Sequence, residues 1–223
     1  MKFEGIMPAL LTPINENSTL REDAARMLCK YQLAEDADGV YVCGATGEGV
    51  LLNAETRKAM CEVVIDEVKG KIPVITHVAS IDAMETIELA KHAESLGVDA
   101  IAAIPPIYFR LPEHAIAKYW NDMSDAAPNT DFVIYNIPQL AGVALTQSLF
   151  AEMRKNPRVI GVKNSSMPVQ DIQMFKQTAG EDYIIFNGPD EQFMSGRVIG
   201  AEGGIGGTYG AMPELFLELD EYV

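Results

Sequence analysis

Short apolar runs alternate along the whole chain with longer stretches in which apolar positions recur every three to four residues. A brief run of β-branched and apolar residues reads as a strand covered on both faces, and the longer recurrence as a helix with one buried stripe. The runs fall at 6–11, 39–43, 73–77, 100–104, 131–136, 159–162, 183–186 and 203–205. The helical patterns fall at 21–36, 53–68, 83–96, 112–125, 146–155, 169–178, 190–199 and 213–223. At the end of the second of these, Val63, Val64 and Val68 mark the inward stripe, while Glu62, Glu67 and Lys69 face water. Gly70, Gly97 and Gly180 stand where helices should stop, and Asn53 and Thr146 where two should begin. Eight strand–helix pairs with no break in composition predict an α/β protein, a single (β/α)8 TIM barrel over residues 1–223 that ends within its eighth helix. The structural rival is an open doubly wound sheet, which rarely carries eight parallel strands in so short a chain.

Composition changes this picture little. With 223 residues, 48% hydrophobic and 22% charged, the chain can bury one large core. A formal charge of −15 argues against nucleic acid or an anionic membrane surface as the main partner. It leaves a small anionic substrate open, because a few local amides or cations dominate a pocket. Cys29, Cys43 and Cys61 are odd in number and lack metal-ligand spacing, which fits reduced core thiols in a cytoplasmic protein. The opening 1–4 reads as no signal peptide, since the run at 6–11 is short and broken by Pro8. No stretch reaches transmembrane length.

The chemistry is predicted at one mouth of the barrel, where the strands end. The run Val159-Ile160-Gly161-Val162 ends on Lys163; the other nine lysines fall on helices, helix ends or the N-terminus. A lysine held against an apolar strand end loses water, and its pKa falls from ~10.4 toward ~7–8, giving a neutral nucleophilic amine. The plainer reading is a lysine that snorkels out or pairs with a carboxylate. Other strand ends add Gly44-Ala45-Thr46-Gly47-Glu48, a loop able to present amides to a carboxylate or to be a plain tight turn. They also add His77, Pro105-Pro106-Ile107-Tyr108-Phe109, Tyr135-Asn136-Ile137-Pro138, Asn187-Gly188-Pro189-Asp190-Glu191 and Gly206-Gly207-Thr208-Tyr209. Asp190 and Glu191 alone would be read as complementing a helix dipole. The convergence of these groups on one mouth is what points to a site.

These residues resemble the dihydrodipicolinate synthase/N-acetylneuraminate lyase family of class I aldolases. The matching segments are Gly44-Ala45-Thr46-Gly47-Glu48, Tyr135-Asn136-Ile137-Pro138, Gly161-Val162-Lys163 and Gly203-Gly204-Ile205-Gly206, in the family's order and over essentially the whole chain. The resemblance implies a Schiff base between Lys163 and a pyruvate-type substrate, with Tyr135 as proton shuttle and Thr46 with its neighbouring amides on the carboxylate. It also implies a role for Tyr108 in a neighbouring subunit's site, and substrate-binding positions at Ala45, Ser165, Gly188, Asp190, Glu191, Gly206 and Gly207. Leu140 stands where the synthase branch resembles Tyr-Asn-x-Pro-x-Arg, so the lyase branch, acting on a 2-keto-3-deoxy sugar acid such as N-acetylneuraminate, fits better. Asp190 and Glu191 would then bind hydroxyls of the polyol tail. No metal or organic cofactor is implied, and the expected assembly is a homotetramer, a dimer of dimers.

Three positions depart from the family pattern: Ala45 for a hydroxyl residue, Phe109 for a second tyrosine, and Gly207 for a serine near the sugar tail. Relatives in the family also carry a C-terminal helical extension beyond the barrel. Rivals on the same chemistry are a synthase-like enzyme, a keto-deoxy sugar acid dehydratase and a non-catalytic pyruvate-binding barrel. A metal-dependent aldolase finds no supporting cluster among His77, His92 and His114. A phosphate-sugar barrel rests on the glycines at 203–207 alone.

Overall fold

The computed structural model describes residues 3–180 and 182–223. Met1 and Lys2, on which the reading of the chain's opening partly rests, lie outside the described residues, as does Glu181. Eight parallel strands form one sheet: β1 (Gly5–Pro8), β2 (Val40–Val42), β3 (Val74–His77), β4 (Ala100–Ala103), β5 (Asp131–Asn136), β6 (Val159–Asn164), β7 (Ile184–Asn187) and β8 (Gly203–Gly206). Their order is β1-β8-β7-β6-β5-β4-β3-β2, and β1 meets β2 through a single parallel bridge, Ala9 to Tyr41, reinforced by Leu10 N–H to the Tyr41 carbonyl at 2.9 Å. The sheet is therefore a nearly closed TIM barrel, as the alternation predicts.

The helices are α1 (Glu22–Ala34), α2 (Ala54–Val68), α3 (Ala83–Ser95), α4 (Glu113–Ala126), α5 (Pro138–Ala141), α6 (Gln147–Met153), α7 (Gln170–Ala179), α8 (Phe193–Val198) and α9 (Pro213–Glu221). Asn53 and Thr146 cap α2 and α6 by accepting from Thr56 N–H and Leu149 N–H. Gly70, Gly97 and Gly180 follow their helices with positive φ, the backbone shape glycine adopts without strain.

Several boundaries differ from the sequence reading. A one-turn helix, α5, stands where a loop is read: Pro138 presets its first φ and Gly142, at φ 73°, stops it. The helix read at 190–199 is a 3-10 turn, Asp190–Gln192, followed by α8. Strand β6 also runs two residues past its apolar run, so Lys163 lies inside the pairing, opposite Tyr135 on one side and Phe186 on the other.

Carboxylates fasten the end of the barrel away from the mouth. Asp38, just before β2, accepts from Ile6 N–H of β1 at 2.7 Å; Asp99, before β4, from Val74 N–H of β3 at 2.8 Å; Glu202, before β8, from Ile185 N–H of β7 at 2.7 Å. Each joins the start of one strand to the approach of the next, and Asp38 does so at the weakly paired β1–β2 seam. Replacing Asp38 by alanine leaves the buried Ile6 amide without its acceptor, at a cost of about 1–3 kcal/mol. Urea unfolding should show that loss as a lower midpoint with an unchanged slope; an unchanged midpoint would mean the clamp adds nothing.

Candidate active site

Lys163 reaches the mouth because β5 and β6 run in register, Tyr135 beside Lys163 and Asn136 beside Asn164. The next step is locked by side-chain amides: Asn136 Nδ2 donates to Asn164 Oδ1 at 2.7 Å, and Asn136 Oδ1 accepts from Leu145 N–H at 2.9 Å. Asn164 Nδ2 donates to Ser166 Oγ at 2.9 Å, and the Ser166 hydroxyl lies 2.6 Å from Asp171. Glycines give the neighbouring strands room. A side chain at Gly161 would overlap the Ile184 carbonyl, and one at Gly188 would overlap Ser165 Oγ. The lysine therefore stands on a fixed platform.

Its amine sits among aromatic rings. Nζ lies 4.2 Å from the centroid of Tyr41 and 4.3 Å from that of Tyr135, two rings that meet edge to face at 5.9 Å. Lys163 is only 4% exposed, and burial pulls its pKa from 10.5 down to about 7, with Asp190 pulling weakly the other way. Burial pushes the Tyr135 phenol up to about 12; the Ser165 hydroxyl opposes that rise and Asp190 adds to it. Near neutral pH the site thus offers a substantial fraction of unprotonated amine beside a protonated phenol.

His77 packs edge to face on Tyr135 at 6.0 Å, and its Nε2 accepts from Ile104 N–H at 3.3 Å. Burial, then the charges of Arg57 and Lys163, hold its imidazole well below the usual histidine range, so it is neutral. The buried Arg57 guanidinium donates to the Ala79 and His77 carbonyls at 2.9 and 2.8 Å, pinning the end of β3. His77 thus packs at the mouth as a neutral imidazole and lines the adjoining cavity.

Two cavities of about 350 Å³ each share Tyr135 and Ile137. The first is polar and is lined by Lys163, Thr46, Ser165, Gly188, Asp190, Glu191 and Gly207 among others. The second is largely apolar, with Ala45, Val50, Leu51, His77, Ile104, Ile107 and Leu140 on its walls. Asp190 is anchored by Thr208, whose N–H and Oγ1 donate to Oδ2 at 2.8 and 2.7 Å. Gly206 lies beneath it, where a Cβ would overlap Asp190 Oδ1. A Cβ at Gly207 would come 3.0 Å from Thr46 Oγ1, so residue 207 separates the threonine from the carboxylate.

Most residues singled out in the sequence therefore meet. Lys163, Tyr135, Thr46, Ser165, Gly188, Asp190, Glu191 and Gly207 surround one cavity, Ala45 lies on the adjoining one, and Gly206 underlies Asp190. Tyr108 does not join them. It is 90% exposed at φ 74°, stacked edge to face on Phe109, and lines neither cavity of its own chain. The glycine loop is a set of tight turns, Glu48 N–H to Ala45 O at 3.0 Å and Gly49 N–H to Gly44 O at 3.1 Å, that carries Thr46 to the cavity. Tyr41 escapes the sequence reading, because a tyrosine inside Val40-Tyr41-Val42 reads as core and only the closing of the barrel brings it to Lys163.

Residues 2–222 match the model of the dihydrodipicolinate synthetase family. The chain is 64% identical over 222 residues to an N-acetylneuraminate lyase of Mediterraneibacter gnavus, covering all of this chain and 70% of that protein. A solved structure described as a catalytic lysine mutant of Ruminococcus gnavus sialic acid aldolase superposes with a TM-score of 0.97 at 64% identity, over 99% of this chain and 72% of that one. The Clostridium difficile protein CdNal, solved in complex with mannosamine, superposes with a TM-score of 0.92 at 31% identity, over all of this chain and 77% of that one. Sequence and overall structure agree, and the chain belongs to the dihydrodipicolinate synthetase family.

Proposed function

We propose that this chain is a class I aldolase, a carbon–carbon lyase that cleaves a 2-keto-3-deoxy sugar acid, N-acetylneuraminate first, into pyruvate and an aldehyde. The observation that carries the reading is the amine of Lys163, buried against two ring faces at the edge of a polar cavity. The 64% identity to an N-acetylneuraminate lyase supports the substrate.

The neutral amine attacks the C2 carbonyl to give a carbinolamine. Tyr135 gives its proton to the departing hydroxyl, which leaves as water and produces a protonated imine beside a phenolate. The phenolate then takes the proton of the C4 hydroxyl. The C3–C4 bond breaks, its electrons move into the imine as an enamine, and the aldehyde leaves. Protonation at C3 and addition of water release pyruvate and restore the amine. Thr46 and the amides beside it hold the substrate carboxylate, which fixes C2 over Lys163. Ser165 supports the Tyr135 phenol, Gly188 and Gly206 leave room for Ser165 and Asp190, and Asp190 and Glu191 accept hydrogen bonds from the tail. Ala45 supplies no hydroxyl, so Tyr135 works without that relay partner. Gly207 leaves space where a side chain would narrow the tail pocket.

We also infer a homo-oligomer, a dimer of dimers, of this one-domain barrel. Tyr108 and Phe109 stand exposed beside Ile107, and Leu51 and Leu140, both exposed, line the same apolar cavity as Ile107. A second copy covering this face would bury them and bring its Tyr108 to the mouth. Three free, buried thiols suit a reducing compartment, the cytoplasm.

Borohydride reduction with pyruvate should place a pyruvyl adduct on Lys163, and Lys163→Ala should abolish both adduct and turnover; an unmodified Lys163 in folded protein sinks the imine. Tyr135→Phe should lower kcat by about 10²–10⁴-fold, the usual weight of a positioned acid–base group, while the trap persists at a lower rate. The amine becomes neutral as pH rises through about 7, so the rate of trapping should climb with a midpoint there. Asp190 favours the ammonium, so Asp190→Asn should move that midpoint down, and an upward move would contradict the placement. Tyr108→Ala should reduce kcat and leave the pH midpoint in place, and sedimentation over a dilution series should show dissociation accompanied by loss of turnover.

A further inference from the structure

Tyr41 is fully buried on β2, and its hydroxyl has no hydrogen-bond partner among the described residues. Burying an unbonded phenol is unfavourable, so the hydroxyl is not what places this ring. The ring's face is engaged instead: Lys163 Nζ lies 4.2 Å from its centroid, well inside the ~6 Å over which a ring face attracts a cation. Gly44 makes the position possible, since a Cβ there would overlap the Tyr41 ring. Tyr135 closes the other side of the nitrogen at 4.3 Å.

We propose that Tyr41 is a positioning residue for the imine, its ring face holding the Lys163 nitrogen and stabilising the charge that nitrogen carries once the imine is protonated. The inference rests on the reading of Lys163 as the imine-forming lysine. A class I site makes opposed demands on one atom: the nitrogen must start uncharged to attack and become positive to draw electrons from the C3–C4 bond. A carboxylate in contact would meet the second demand and spoil the first by locking in the ammonium. A ring face is a weaker partner. It leaves burial in control of the free amine, which is why that amine stays available near neutral pH, yet it still favours the iminium. The imine nitrogen remains tethered to the same side chain, so it stays between the same two rings. The titratable groups around it are Tyr41 from β2, Tyr135 from β5, Asp190 after β7 and, behind Tyr135, the neutral His77 of β3.

The test places phenylalanine, mono-, di- and trifluorophenylalanine, and leucine at position 41. Each variant is read by the pyruvate concentration that half-saturates borohydride trapping and by the pH midpoint of the trapping rate. Tyr41→Phe should stay within about twofold of the parent protein, because the ring face is kept. Imine formation should then weaken stepwise with each fluorine at nearly constant shape, and Tyr41→Leu should weaken it about tenfold. The leucine variant's midpoint should move down, because the ammonium also loses a ring face. If Tyr41 merely fills space, its loss lets water in and the midpoint rises toward that of an ordinary lysine. A flat fluorine series or a rising midpoint overturns the proposal while the Lys163 adduct still forms in the parent protein. Absence of that adduct in the parent overturns the imine reading and this proposal with it.

Discussion

Withdrawing one amine from water is the constraint on which the rest of this structure depends. The cost of burying an ammonium falls on its charged form, so Lys163 can remain a lysine at the end of β6 only as a neutral amine or with a partner for its charge. Among the described residues the mouth supplies no carboxylate in contact; Asp190 acts from a distance and ring faces take the near positions. Burial therefore dominates, and the same physics that would destabilise an ordinary core lysine suits this one to the proposed role of nucleophile. Tyr135 obeys the same rule with opposite sign, because burial penalises the phenolate and keeps its proton in place.

Such an arrangement works only if the amine cannot swing out to water, and the barrel prevents that. Lys163 is not on a loop. It is paired into the sheet on both sides, and the asparagines at the next register position tie β5 to β6. At the far end, Asp38, Asp99 and Glu202 join strand starts to their neighbours. Part of the chain's large negative charge thus lies where it fastens the scaffold, away from the amine whose titration it would disturb.

Much of this was legible in the sequence, for physical reasons that also mark where legibility stops. Strands buried on both faces appear as unbroken apolar runs, so all eight could be found. Lys163 stood out because it alone among the lysines followed such a run. Caps at Asn53 and Thr146 are local chemistry and could be placed by residue type. Tyr41 could not, since its neighbours in the chain are core valines and its meaning comes from Lys163, more than a hundred positions away. Neither could the short helix α5, set by Pro138 and Gly142 against a background that reads as loop. Tyr108 was legible as a mouth residue in sequence order, but its left-handed backbone turns it out to solvent, which no local pattern announced.

The two cavities divide what the chemistry asks of the mouth. Tyr135 lines both, so in the proposed reaction a substrate whose C4 hydroxyl met that phenol would extend its tail to one of two sides. On the apolar side the tail hydroxyls would lose their water chiefly to Val50, Leu51, Ile104 and Leu140, where Glu48 offers a single carboxylate in place of the pair at Asp190 and Glu191. Toward Asp190 and Glu191 they exchange water for carboxylate oxygens, and Asp190 is already held in place by Thr208, so little ordering remains to be done on binding. Direction would therefore be set by desolvation as much as by attraction. In the proposed reaction the same Asp190 would receive the tail while favouring the charged form of Lys163, and it could serve both groups only from a distance. Closer, it would hold the ammonium and silence the nucleophile; farther, it would lose the tail.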